Sequence, residues 1–294
     1  MRVKSARGGR NCCESPTSSY RRSGAIARRS AILLSGTAAL ALSIAQPASA
    51  VSINDAQFTN PAYVNGTDQF PSVVATLQGT QFWCTGALID SRTVLTAAHC
   101  FDSAVNKVSF QTNVSTDPNP IAISSYFTHR SWVSPSGLDN DIAVISLSRP
   151  VTNIRALPLA PTIPEPGMPL FLVGYAPGGS GTSCCNLPNG IRRMATTEFG
   201  AYEPAGSSQS VLRAQFRNPD DSNKFDSFNL KGIPTSTLEG GLYRGDSGGP
   251  VFIMSPDGLV QIGVARTISI PDNSVVLGQY GTISEWAPLA LFLT

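Results

Sequence analysis

The 294-residue sequence is poor in charge and poorer in histidine. Only 14% of its residues are Asp, Glu, Lys or Arg, and its two histidines are His99 and His129. So little charge excludes a solvated disordered chain and a charge-laced coiled coil. Two histidines and no Cys-x-x-Cys pair argue against a structural zinc site, and no metal or cofactor is expected. No apolar run after residue 50 is long enough to cross a membrane. No long amphipathic repeat breaks up the chain, which argues against alternating strands and helices. No internal repeat is present either.

What charge there is lies unevenly. Residues 1–50 hold eight basic residues and one acidic residue, so the rest holds 13 basic and 18 acidic residues. That balance disfavours a nucleic-acid partner, which would want a basic face. The basic start leads into an apolar stretch of 15 residues, Ala31–Ala45, and then Ala48-Ser49-Ala50. A charged segment, a short apolar segment and a small-x-small site make a secretory signal peptide over residues 1–50. Arg28-Arg29 leaves open a twin-arginine export route. The expectation is an exported monomer that leaves the membrane once the signal is removed. Cys12 and Cys13 would depart with the leader, leaving Cys84, Cys100, Cys184 and Cys185, for which an oxidising compartment allows disulfides. The adjacent pair Cys184-Cys185 could bridge vicinally, pair between chains or stay reduced.

The whole chain holds 26 Gly and 22 Pro, and its exported part reads as short apolar runs between turn residues. SVVATL (72–77), TVLTAA (93–98), IAISSYF (121–127), DIAVISL (141–147), PLFLVGY (169–175), PVFIM (250–254) and LVQIGVA (259–265) are rich in Val, Ile and Thr. Such runs predict an all-β barrel or sandwich. A Pro-rich stretch, 157–167, reads as an extended link between two halves. Residues 178–190 and 218–223 read as surface loops. Trp286, Leu289 and Phe292 recur at helical spacing, which predicts a short C-terminal helix over Ile283–Phe292, made irregular by Pro288.

Three segments supply the parts of an amide-hydrolysing site: Thr96-Ala-Ala-His99-Cys100, Asp139-Asn-Asp141-Ile, and Gly245-Asp246-Ser247-Gly-Gly-Pro250. Hydrolysis needs a nucleophile, a base, a group that orients the base, and donors for the oxyanion. Ser247 is the candidate nucleophile, His99 the base and Asp141 the orienting carboxylate. The Gly245 and Ser247 amides are the candidate oxyanion donors. Asp139 is a rival for Asp141, but only Asp141 runs directly into an apolar strand. His129 reads as a loop residue.

These segments, in the order His, Asp, Ser, resemble the chymotrypsin/trypsin-like serine endopeptidases. The match around His99 reaches back through Cys84-Thr-Gly-Ala-Leu-Ile, and the resemblance covers roughly Tyr63–Trp286. It implies two antiparallel β-barrels, about 63–160 and 161–282, within a protease domain 63–294. The active site lies between them, with His99 and Asp141 from the first and Ser247 from the second. It implies a Cys84–Cys100 disulfide. Tyr63-Val-Asn-Gly66 is similar to the family's mature N-terminal motif, which implies a propeptide over 51–62 and an activation switch joining a new Tyr63 amine to Asp246. The other reading keeps Val51–Ala62 attached and orders the loop without that amine.

The chain departs from the pattern at the base of the specificity pocket. Trypsins carry an aspartate six residues before the nucleophile; here Gly241 stands there, and Tyr243 replaces a usual cysteine. A buried substrate cation would lack a partner, so cleavage after Arg or Lys is disfavoured. Arg244 and Arg266 either read an acidic substrate residue or point to solvent. The expected function is a secreted serine endopeptidase acting on protein or peptide substrates; the alternative is a catalytically silent binding protein on the same fold.

Overall fold

A computed structural model describes residues 51–133, 138–183, 187–204, 210–221, 226–232, 234–272 and 274–293. The leader and the Cys184-Cys185 pair lie outside the described residues.

Two closed barrels of six antiparallel strands make up the molecule. The first holds β2 (Val73–Gln78), β3 (Gln81–Asp90), β4 (Thr93–Thr96), β5 (Lys107–Ser109), β6 (Ile121–Thr128) and β7 (Ala143–Leu147). They close in the order β2-β3-β4-β7-β6-β5. The second holds β8 (Pro169–Gly174), β9 (Arg193–Glu203), β10 (Val211–Gln215), β12 (Pro250–Ser255), β13 (Gly258–Ser269) and β14 (Ile283–Pro288). Before and between these, β1 (Ser52–Ile53) pairs with β11 (Gly240–Gly241).

The first barrel fills with branched side chains such as Val74, Leu88, Val94, Val108 and Ile145, all buried. Period-two alternation turns such residues inward along each strand, whereas β6 is exposed along most of its second half, Tyr126 and Phe127 included. Leu172, Phe199, Leu212, Val251 and Trp286 fill the second barrel. Phe70, Val73, Val173, Tyr175 and Phe252 form a further cluster that joins the two barrels. Register shifts within several strand pairs, as between Val251 and Phe252, give the bends that barrel closure requires.

The proline-rich link runs extended between the barrels. Ala160 donates its amide to the Gln261 carbonyl at 2.9 Å, and the Gln261 amide donates to Pro158 at 2.8 Å. The C-terminal helix expected over Ile283–Phe292 is corrected in extent. Ile283–Pro288 is β14, buried along its whole length and paired with β10 and β13. Only Leu289–Leu291 turns, as a single 3₁₀ turn. A strand packed on both faces shows no alternation, so its apolar residues imitate helical spacing.

Candidate active site

Strand register brings His99 and Asp141 together. Thr96, the last residue of β4, pairs with Ala143, the first of β7. Past Thr96 the chain is extended at Ala97 and enters a 3₁₀ turn, Ala98–Asp102, that carries His99. Asp141 lies just ahead of Ala143 on the partner strand, so both residues meet beyond the same end of the sheet. The Asp141 carboxylate is fully buried, and its Oδ2 lies 2.6 Å from His99 Nδ1. Its Oδ1 accepts the His99 backbone N–H at 2.9 Å. Asn140, just before it, takes a left-handed conformation (φ +55°), which asparagine tolerates. Asp139 is exposed; Asp141 is the aspartate that reaches the imidazole. His129 donates its backbone N–H to the Ile142 carbonyl at 2.9 Å, and its ring stands edge-on to Phe292.

Cys100, next to His99, is joined to Cys84 of β3 by a disulfide with the Cα atoms 6.2 Å apart. This ties the His99 turn to its sheet. It also oxidises both sulfurs beside His99, which removes them as thiolate metal ligands.

The Gly245–Gly249 segment belongs to the second barrel but leans on the first. The Thr85 amide donates to the Ser247 carbonyl at 2.8 Å, and the Thr85 hydroxyl donates to the Gly245 carbonyl at 3.2 Å. On the other side, Gly248 N–H donates to Ala265 at 2.7 Å. Gly248 has φ +79°, and a Cβ there would fall 2.1 Å from Thr96 Oγ1 and 2.3 Å from the Thr85 carbonyl oxygen. Only glycine permits that approach. The contact places the serine segment at the end of β4 from which His99 projects. Gly245 is also left-handed, with φ +108°. Among the described residues, the Gly245 and Ser247 amides donate to nothing. Ser247 is partly exposed, and its hydroxyl makes no hydrogen bond to the described residues.

Asp246 is wholly buried beneath this segment. Its Oδ2 accepts the Tyr243 amide at 2.8 Å and its Oδ1 the Ala176 amide at 3.1 Å. Burial pushes its carboxyl up to about 6, against these hydrogen bonds and the Arg193 charge. Tyr63 is not brought to Asp246 in the intact chain. It sits in a one-turn helix, Ala62–Asn65, with its amide donating to the Asn60 carbonyl at 3.3 Å. Its buried hydroxyl donates to the Glu239 carbonyl at 3.1 Å. The segment expected as a propeptide is built into the second barrel: Val51 and Ile53 belong to its buried core, and Ser52 pairs with Gly241.

Gly241 is buried, and a Cβ there would meet Phe216 Cβ at 3.0 Å and Ser284 Oγ at 3.5 Å. The Tyr243 ring packs over Gly278 so closely that a Cβ on that glycine would fall 2.2 Å from it. Arg244 is exposed beside the nucleophile segment. Arg266 fits neither role expected of it. It is buried, donates from Nη1 to the Leu138 carbonyl at 3.2 Å, and its Nη2 lies 3.6 Å from Glu285. Burial pushes its guanidinium down, while the Glu285 and Asp141 carboxylates oppose that shift.

The buried charges of the second barrel carry no mark in the sequence. Arg217 pairs with Glu198 at 2.6 Å with both side chains nearly inaccessible. Arg193 is 1% exposed. A charged residue in a run such as Arg193–Glu203 reads as surface, and nothing local in the sequence marks these as interior.

The family model described as Trypsin matches residues 64–274. Chymotrypsin from Phaedon cochleariae is 32% identical over 248 residues, covering 76% of this chain and 82% of that relative. Transmembrane protease serine 11C from Mus musculus is 34% identical over 116 residues, 36% of this chain and 27% of that relative's length. Among solved structures, neuropsin, a serine protease of mouse brain, superposes with a TM-score of 0.56 at 20% identity. That superposition covers 76% of this chain and 92% of the neuropsin chain, a likeness of fold.

Proposed function

The chain belongs to the trypsin-like serine protease family, and from that premise we propose that it is an active, exported endopeptidase that cleaves peptide bonds through Ser247, His99 and Asp141. The observation that carries the reading is the double contact between His99 and a fully buried Asp141, 2.6 Å at Nδ1 and 2.9 Å at the backbone amide. A carboxylate so placed fixes the imidazole tautomer, with the proton on Nδ1 and the Nε2 lone pair free to act as base.

On this reading His99 Nε2 takes the proton of Ser247 as Oγ attacks the scissile carbonyl. The tetrahedral oxyanion is held by the Gly245 and Ser247 amides, which have no other acceptor among the described residues. The imidazolium then gives its proton to the departing amine, leaving an acyl-enzyme. Water, deprotonated by the same histidine, releases the acid product and restores the serine. Asp141 stabilises the imidazolium throughout without taking the proton.

Export is supported by the leader pattern of residues 1–50 and by the Cys84–Cys100 disulfide. Among the described residues no helix is long and apolar enough to cross a membrane. Residues 51–294 are then the working unit, with protein or peptide substrates. The test is hydrolysis of an unfolded protein substrate by wild type and by Ser247→Ala. Turnover should fall on the order of 10⁶-fold, the scale measured for loss of a triad serine. Hydrolysis by Ser247→Ala at near-wild-type rate would overturn the reading.

A further inference from the structure

The fold places a buried carboxylate in the space opposite a buried arginine. In the antiparallel pair β8–β9, Gly174 is directly opposite Arg193. Residues so paired send their side chains to the same face, with Cβ atoms about 5 Å apart. Gly174 has no side chain, and the vacant position is filled from elsewhere: Asp246 Oδ1 lies 1.9 Å from where the Gly174 Cβ would be. The carboxylate of the nucleophile segment therefore occupies the cross-strand position opposite Arg193, without a direct ion pair to its guanidinium.

Both groups are sealed from water. Asp246 is 0% exposed and Arg193 is 1% exposed. Arg193 Nη1 donates to the Ile191 carbonyl at 3.1 Å, while Nη2 has no hydrogen-bond partner among the described residues. The Tyr243, Ala176 and Tyr175 amides donate to Asp246, and the Arg193 charge acts on it through space. Asp246 is in turn the charge that acts on Arg193. Two isolated buried charges of opposite sign each carry a large desolvation penalty, which their attraction in a low-dielectric interior offsets.

We propose that Arg193 is a positioning residue for the reaction: it is the resident counter-ion of Asp246, and it holds the Gly245–Ser247 segment in its oxyanion-binding form with Val51–Ala62 still attached. The inference rests on the serine-protease reading above and specifies how that site is kept in order. It assigns to an internal side chain the charge that the Tyr63 amine was expected to bring. It agrees with the place of Val51 and Ile53 in the core, since removing residues 51–62 would strip buried apolar surface from the second barrel.

The experiment is a double-mutant cycle on the exported chain with Arg193→Met and Asp246→Asn, read by thermal unfolding at neutral pH and by turnover. Arg193→Met should lower the melting temperature by several degrees when Asp246 is present, and should not lower it in the Asp246→Asn background. Turnover of Arg193→Met should drop on the order of 10²-fold, the scale of losing one oxyanion donor. Its acid limb should move to higher pH, because Asp246 without its cation takes up a proton sooner. Arg193→Lys should recover most of the activity and the acid limb. Equal stability losses in both backgrounds, or an unmoved acid limb, would overturn the proposal. Inactivity of the wild type would instead reject the protease reading, and the melting cycle would still judge the Arg193–Asp246 pair.

Discussion

Asp141 holds His99 at two points, with Oδ2 2.6 Å from the imidazole Nδ1 and Oδ1 accepting the backbone N–H of the same residue at 2.9 Å. One buried carboxylate thus fixes both the ring and the chain that carries it. The imidazole has little freedom to turn, and its second nitrogen is the one presented outward.

Asp141→Asn should therefore leave the fold intact and lower kcat on the order of 10⁴-fold, because the amide supports the wrong tautomer. Asp139→Asn, at the exposed neighbour, should stay within about twofold of wild type. Steady-state kinetics of the two variants side by side check this.

Removing the Cys84–Cys100 bridge should cost stability first and activity second. The bond spans 16 positions, and a loop of this size is worth about 3 kcal/mol in the chain-entropy account. For a domain of this length that corresponds to a melting temperature lower by roughly 6–12 °C. Calorimetry of the Cys84→Ala, Cys100→Ala double variant measures it. Non-reducing peptide mapping of the wild type should recover the two cysteines as one linked pair.

The buried Asp246 sets a pH dependence of stability whose sign follows from its raised carboxyl, about 6 against the ordinary 3.8. The folded state binds this proton more tightly than the unfolded chain. The stabilisation is complete below about pH 4 and is lost as pH rises through about 6, an effect on the order of 3 kcal/mol. Glu239, pushed up by burial, acts in the same direction. Asp246→Asn isolates the first contribution. Melting temperatures from pH 4 to 7 should fall for wild type relative to that variant; parallel curves would contradict the assignment.

Substrate choice should exclude a cation before the scissile bond. Among the described residues, the atoms nearest to where a Gly241 side chain would start belong to Phe216 and Ser284 and none is acidic, and the Tyr243 ring fills the space over Gly278. Glu239, the nearest acid in sequence, is buried, bonded to Thr197 and pushed toward its neutral form. Arg266 is committed to Glu285 and the Leu138 carbonyl, so it does not select acidic residues. A peptide-library profile should favour small uncharged residues, with Arg and Lys at least about 10²-fold poorer, as several kcal/mol of unpaired burial implies. A profile dominated by Arg and Lys would refute this.

The first barrel was readable from sequence because its strands have one wet and one dry face or short branched runs. SVVATL, TVLTAA and DIAVISL fall on β2, β4 and β7. Parts of the second barrel were hidden. In β9, Arg193–Glu203, the residues Thr197 and Glu198 are interior, satisfied by Glu239 and Arg217 from distant segments. Such pairing is invisible until the chain is folded. Ile283–Pro288 failed for the opposite reason, as burial on both faces erased its period. Of the candidate site, the segments that carry His99, Asp141 and Ser247 stand out in the sequence by their residue types and order. The buried place of Arg193 opposite Asp246 does not, since it depends on Gly174 leaving a vacancy across the strand.

The most direct test of the account is active-site titration with a fluorophosphonate, followed by mass spectrometry of the labelled peptide. The exported protein should take up one equivalent on Ser247. Labelling should vanish in Ser247→Ala and slow by orders of magnitude in His99→Ala. A folded protein with the Cys84–Cys100 bridge intact that takes no label, or takes it at another residue, would contradict the assignment of Ser247 as the nucleophile.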